Sequence, residues 1–154
     1  MVIMSHEFDT LLASRKLTLK FIKDFDHEQL NLIPKGFKNN MIWNLGHLIV
    51  TQQLLWYSLS GKEMLINSEM VNKYRKGSQP STLVEANEIQ EIIELLSSLP
   101  EKSIADYKKG LFQTYQAYTT SFDVTLRSIE DAIKFNNFHE GLHVGTIMAL
   151  RKLV

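Results

Sequence analysis

Apolar residues recur at helical spacing along most of the chain, and nowhere in an alternating run bounded by turn residues. The pattern predicts helices and no sheet. Phe8, Leu11, Leu12, Leu17, Leu19, Ile22 and Phe25 draw one broad stripe, which predicts a first helix from Glu7 to about Leu30. The stretch "IPKGFKNN" interrupts it. Asn39 or Asn40 can cap a second helix, whose apolar face includes Trp43, Leu48, Leu54 and Leu55 and which ends near Ser60, before Gly61. A polar connection runs from Gly61 to Pro80, with one short turn of helix expected around Ser68 to Tyr74. Antiparallel neighbours in a bundle need only about two to eight linking residues. A connection this long can cross the bundle and leave the second and third helices roughly parallel.

The third helix is expected from Ser81 to Leu99, with Leu83, Ile89, Ile92, Ile93 and Leu96 apolar. Glu85, Glu88, Glu91 and Glu94 line another side and read most simply as a solvated face. Pro100 is expected to break or kink this helix, with a short helical piece continuing to Lys109. "FQTYQAYTTSFD" reads as a loop, and a fourth helix is expected to begin near Asp123 and run almost to the end. The sum is an all-α four-helix bundle with a long crossover between helices two and three, built as a single domain over residues 1–154.

Composition narrows the function classes. Hydrophobic residues make up 44% of the chain and charged residues 22%, as in an ordinary globular domain. The net charge is zero, so no overall field draws the chain to nucleic acid or anionic lipid. There is no cysteine, which excludes disulfides, thiolate zinc sites and a protein-borne thiol nucleophile. The N-terminal "MVIMSHEFDT" lacks the basic and long apolar parts of a leader peptide. The most apolar stretch, "MIWNLGHLIVTQQLLWYSL", is broken by Asn44, His47, Gln52 and Gln53 and makes a poor membrane span. A cytoplasmic setting without a membrane is the default expectation.

The chemistry gathers around histidine. His139 and His143 stand in "HEGLH", formally an H-E-x-x-H string. On a helix, residues four apart lie about 40° apart around the axis and one turn along it, so both rings can reach one metal ion. Alternatively they are two core histidines with hydrogen-bonded partners. A protease of the zincin type takes a third ligand from downstream, but "VGTIMALRKLV" holds no His, Asp or Glu. A third protein ligand must therefore come from upstream. His47 shares a face with Trp43, Val50, Thr51 and Leu54. Alone it reads as a satisfied core histidine; facing the other two across a helix interface, it becomes a third ligand. Gly46, Gly141 and Gly145 flank these histidines and suggest space kept clear, for a neighbouring helix or a substrate. His6 and His27 read as surface residues of the first helix.

The pairing of "WNLGHL" in the second helix with "HEGLHVGTIMALRKL" in the last resembles the DinB/YfiT-like superfamily of metalloenzymes, and the resemblance covers essentially the whole chain. It implies helices in up-down-down-up order, a frequent homodimer, and a divalent metal held by three histidines, here His47, His139 and His143. It implies zinc, nickel or another divalent ion such as iron or manganese as cofactor. It also implies a small-molecule substrate and, in characterised relatives, transferase or isomerase chemistry with a low-molecular-weight thiol cosubstrate, without nucleic acid.

Three imidazoles leave a zinc or nickel ion at least one open position, a catalytic rather than a closed arrangement. Such a site can activate water or deprotonate a thiol. Glu140 is the candidate catalytic residue: a general base toward activated water, a group that orients a ligand, or a plain surface or subunit-interface acid. Asn44, Thr51 and Asn136 lie a turn from the histidines and can line a pocket or simply hydrogen-bond within the bundle. Three readings follow: a thiol-dependent transferase, a metal-dependent hydrolase assisted by Glu140, and a non-catalytic, metal-stabilised bundle. Lys73, Arg75 and Lys76 offer positive charge for an anionic substrate, although a solvated loop explains them as simply.

Overall fold

The computed structural model describes residues 4–154; residues 1–3, the start of the stretch read above as lacking a leader, lie outside it. The described chain is mostly helical. It comprises α1 (Ser5–Ile22), α2 (His27–Asn31), α3 (Met41–Trp56), α4 (Ser68–Tyr74), α5 (Ala86–Lys108), the strands β1 (Tyr118–Thr119) and β2 (Thr125–Leu126), and α6 (Ile129–Leu150). The long helices α1 and α3 each pack against both α5 and α6. No helix among the described residues is long and apolar enough to cross a membrane.

Local signals account for several boundaries. The Asn40 side chain accepts a hydrogen bond from the Trp43 amide at 2.9 Å and starts α3. After α3 a tight turn over Ser58–Ser60 leads to Gly61, whose φ of +66° suits glycine. The short helix expected around Ser68 to Tyr74 is α4, capped by Asn67.

Other boundaries differ from the sequence reading. The first helix stops at Ile22, because Asp26 and Gln29 form a reciprocal capping box that starts a separate helix, α2. His27 therefore belongs to α2, and it is half-buried, with Nε2 2.6 Å from the Val84 carbonyl; His6 is exposed on α1. The third helix begins at Ala86 rather than Ser81 and passes through Pro100 to Lys108 without a break. A proline inside a helix costs about 3 kcal/mol. Here Leu96, Leu99, Pro100, Ile104 and Tyr107 are all buried on one continuous face, and that burial outweighs the cost. The last helix starts at Ile129 behind a Ser128 cap, not near Asp123. Asp123 instead stands between the strands with φ +59°, and the expectation of no sheet fails at this two-stranded antiparallel ribbon. Its strands are two residues long, too short to show alternation.

The core has two apolar clusters. One includes Ile22, Leu48, Leu99 and Ile147; the other includes Leu11, Trp56, Ile104 and Ile133. Along each long helix, buried polar residues fall between the two: Arg15 and Thr18 on α1, Gln52 and Gln53 on α3, Ser103 on α5, Asn136 and Glu140 on α6. A polar layer thus crosses the interior, and the candidate site stands beside it.

Candidate metal centre

α3 and α6 bring His47, His139 and His143 together, with one potential ligand nitrogen from each within 4.8 Å of the others. The Nε2 atoms of His47 and His139 are 3.2 Å apart. Two nitrogens bound at about 2.0–2.1 Å to one ion in tetrahedral geometry would be separated by a similar distance. The His47 ring stacks on Trp43, with centroids 4.6 Å apart and planes 12° from parallel.

Two of the three rings are oriented by their other nitrogen. His47 Nδ1 donates to the Tyr74 carbonyl at 2.7 Å, so Nδ1 carries the proton and the Nε2 lone pair faces the cluster. His143 Nδ1 lies 2.7 Å from Asn44 Oδ1. The Asn44 amide is itself fixed, because Nδ2 donates to the Asn40 carbonyl and to Asn39 Oδ1. His143 therefore donates from Nδ1 and presents Nε2. Such outer partners are what metal-bound histidines ordinarily possess. His139 Nδ1 is buried without a protein partner among the described residues. Thr51 Oγ1 adds a hydroxyl 3.3 Å from His47 Nε2.

Electrostatics favour the neutral rings that a metal requires. Burial pushes the His139 pKa down to about 3, helped by the neighbouring positive charge of His143, His47 and Arg15. Burial, with a smaller contribution from His47, lowers His143 to about 4. His47 is lowered by burial too, opposed in part by its bond to the Tyr74 carbonyl. The donor set, the two fixed tautomers and the charge state all fit a divalent ion.

The three rings open onto a cleft of about 440 Å³, within the size range of small-molecule sites. Leu54, Leu59, Phe122, Phe135 and Leu142 form much of its wall, and the β1–β2 ribbon supplies Tyr118, Thr120 and Ser121. The loop "FQTYQAYTTSFD" thus contributes directly to the site.

Glu140 is 1% exposed, which removes the surface reading, and it does not line the cleft. Arg15 of α1 grips its carboxylate through Nε–Oε2 at 2.8 Å and Nη2–Oε1 at 2.6 Å. Nη2 also donates to the Leu48 carbonyl and Gln52 Oε1, which ties α1 and α6 to α3. Asn136 is buried beside the pair, 3.5 Å from Glu140 Oε1. Arg15 was absent from the sequence-derived site. Its signal was positional: the buried residues Phe8, Leu11, Arg15, Thr18 and Ile22 keep helical spacing, so Arg15 occupies a core position of the stripe.

The flanking glycines divide. A Cβ on Gly46 would come within 2.5 Å of the Tyr74 ring, whereas one on Gly141 or Gly145 would meet nothing within 4 Å. Only Gly46 is required by a close approach.

A solved structure of a conserved protein from Enterococcus faecalis superposes on 100% of this chain and 98% of its own, with a TM-score of 0.63 and 16% identity. At that identity the likeness shows the fold. No curated protein matches the sequence. The model of the DinB superfamily matches residues 10–147, a span that includes all three clustered histidines and both members of the Arg15–Glu140 pair. The chain belongs to the DinB superfamily.

Proposed function

We propose that this chain is a metal-dependent enzyme, a transferase that uses a low-molecular-weight thiol as cosubstrate. The observation that carries the proposal is the convergence of three neutral imidazoles, two of them oriented by hydrogen bonds, on one apolar cleft. His47, His139 and His143 would hold a divalent ion, zinc or nickel first. Such an ion supplies a Lewis acid with an open position, which lowers the pKa of a thiol or water. The protein's part is to present the nitrogens, exclude bulk water with the leucine and phenylalanine walls, and hold the acceptor substrate in the cleft.

Glu140 takes a supporting role in this reading. Its bidentate contact with Arg15 fixes the turn of α6 that carries His139, and its absence from the cleft lining weighs against a base acting directly on substrate. The reading also includes a single domain folded as a four-helix bundle, a homodimer and a cytoplasmic setting. Up-down-down-up order is supported by the core: α1 and α6 run from the Leu11 cluster toward the Ile22 cluster, whereas α3 and α5 run the opposite way.

The test is to load purified protein with zinc, nickel or cobalt and incubate it with small thiols and electrophiles, reading adducts by mass spectrometry. Adducts that appear with metal and disappear with a chelator or in His47→Ala support the proposal. No metal-dependent adduct across a broad panel would refute it.

A further inference from the structure

The cleft's charge and lining specify more than a metal-binding group. The residues that line it include no aspartate or glutamate. The nearby buried carboxylate, Glu140, is already matched by Arg15. Three neutral histidines leave the two positive charges of a divalent ion uncompensated, in surroundings where apolar walls strengthen every electrostatic interaction. One cation of the chain, Lys76, also lines the cleft.

Lys76 stands on a backbone that is tied to the site. It lies two residues after Tyr74, whose carbonyl accepts from His47 Nδ1. The turn that carries it is closed by the Ser78 amide and hydroxyl, both donating to the Arg75 carbonyl. Ser78 in turn accepts from Trp43 Nε1, the ring stacked on His47. Lys73, by contrast, is engaged by Glu88. Lys76 makes no ion pair among the described residues and is exposed at the rim.

We infer that the substrate bound in this cleft is an amphipathic anion: an apolar body against Leu54, Phe122 and Phe135, with a carboxylate-type group at Lys76 and a metal-binding atom at the histidines. This rests on the metal-centre reading above and adds to it the substrate's class. With the ion bound the cleft would draw in the anion, the apolar walls reward length, and Lys76 selects a negative charge on the substrate. A neutral or cationic molecule of the same length lacks the last contact.

The experiment uses cobalt-loaded protein and a series of thiol probes, read by the thiolate-to-cobalt absorption band. The probes are mercaptopropionate, ω-mercaptohexanoate, mercaptohexanol and aminohexanethiol. Mercaptohexanoate should bind tightest, gaining about three- to fourfold over mercaptopropionate per methylene buried. Mercaptohexanol should be about tenfold weaker and aminohexanethiol weaker again. Lys76→Glu should reverse the order of the acid and the amine and leave mercaptohexanol unchanged. Phe122→Ala should weaken all the long probes together at unchanged cobalt content. Affinities indifferent to chain length and terminal charge, with cobalt bound, would overturn this inference alone. Failure to bind cobalt at all would overturn the metal reading and this inference with it.

Discussion

Removing the guanidinium of Arg15 should be among the most damaging single changes in this chain. In Arg15→Met the stem still fills its path, but the Glu140 carboxylate, 1% exposed, loses both charged hydrogen bonds. A buried charge stranded in this way costs about 3–5 kcal/mol. Glu140→Leu strands the guanidinium instead, with only the Leu48 carbonyl and Gln52 left to it, at a similar cost of about 3–5 kcal/mol. In the double variant no charge remains. Replacing a buried pair by apolar side chains is often neutral or stabilising, while the Gln52 and Asn136 amides each lose a partner at about 1–3 kcal/mol. The double variant should therefore cost clearly less than the sum of the two singles, about 6–10 kcal/mol, so the two changes should couple. Urea unfolding of the metal-free protein at neutral pH measures all four species. Since domains are stable by only about 5–15 kcal/mol, a single variant that fails to fold beside a folded double variant gives the same answer. Single variants costing under about 1 kcal/mol, or costs that simply add in the double, would refute the reasoning.

His47→Ala should abolish tight metal binding even though the H-E-x-x-H string is intact; metal analysis after dialysis checks this, and full occupancy would exclude His47 as a ligand. Metal-free protein should lose stability as pH falls. Burial holds the three histidines below the ordinary imidazole value of 6.5 in the folded chain, so the unfolded chain binds more protons and stability declines from about pH 6.5 toward pH 3–4. Urea midpoints between pH 7 and about pH 5, above most carboxylate titration, should show this slope, and His139→Asn should flatten it. Gly46→Ala should destabilise by about 1–3 kcal/mol because the Tyr74 ring must move. Gly141→Ala and Gly145→Ala should instead stabilise by up to about 1 kcal/mol, and equal thermal shifts for all three glycines would contradict the contact geometry.

The sequence was most readable where one local interaction decides the outcome. The cap at Asn40, the turn at Gly61 and the short helix α4 all rest on contacts a few residues long. It was least readable where distant packing overrides a local rule. Pro100 signals a stop, but the apolar face of α5 continues past it and tertiary burial prevails. The converse holds at Asp26, where an apolar stripe suggested continuity and a capping box ended it. For the site, helical spacing placed His139 and His143 together, and an apolar face pointed His47 inward. The partners that set the ring orientations, the Tyr74 carbonyl and Asn44 Oδ1, come from segments 27 and 99 residues away in sequence, and no periodicity encodes them. Glu140 shows the limit most plainly. Its place in the string left a base, an orienting group and a surface acid open, and nothing local pointed to its partner, an arginine 125 residues upstream.

The polar layer also acts as a ruler along the long helices. Apolar helix faces tolerate sliding, since one leucine replaces another at modest cost. A slip of α6 by one turn, about 5.4 Å, would carry the Glu140 carboxylate away from Arg15, toward apolar Leu11 in one direction and toward uncharged Thr18 in the other. Every such register strands both charges, whereas the native one pairs them. His139 is the neighbour of Glu140, and Gln52, which meets Arg15, is five residues beyond His47. Locking the height of α6 against α1 and α3 therefore keeps imidazoles from two different helices level with one another, an alignment set by residues that do not line the cleft.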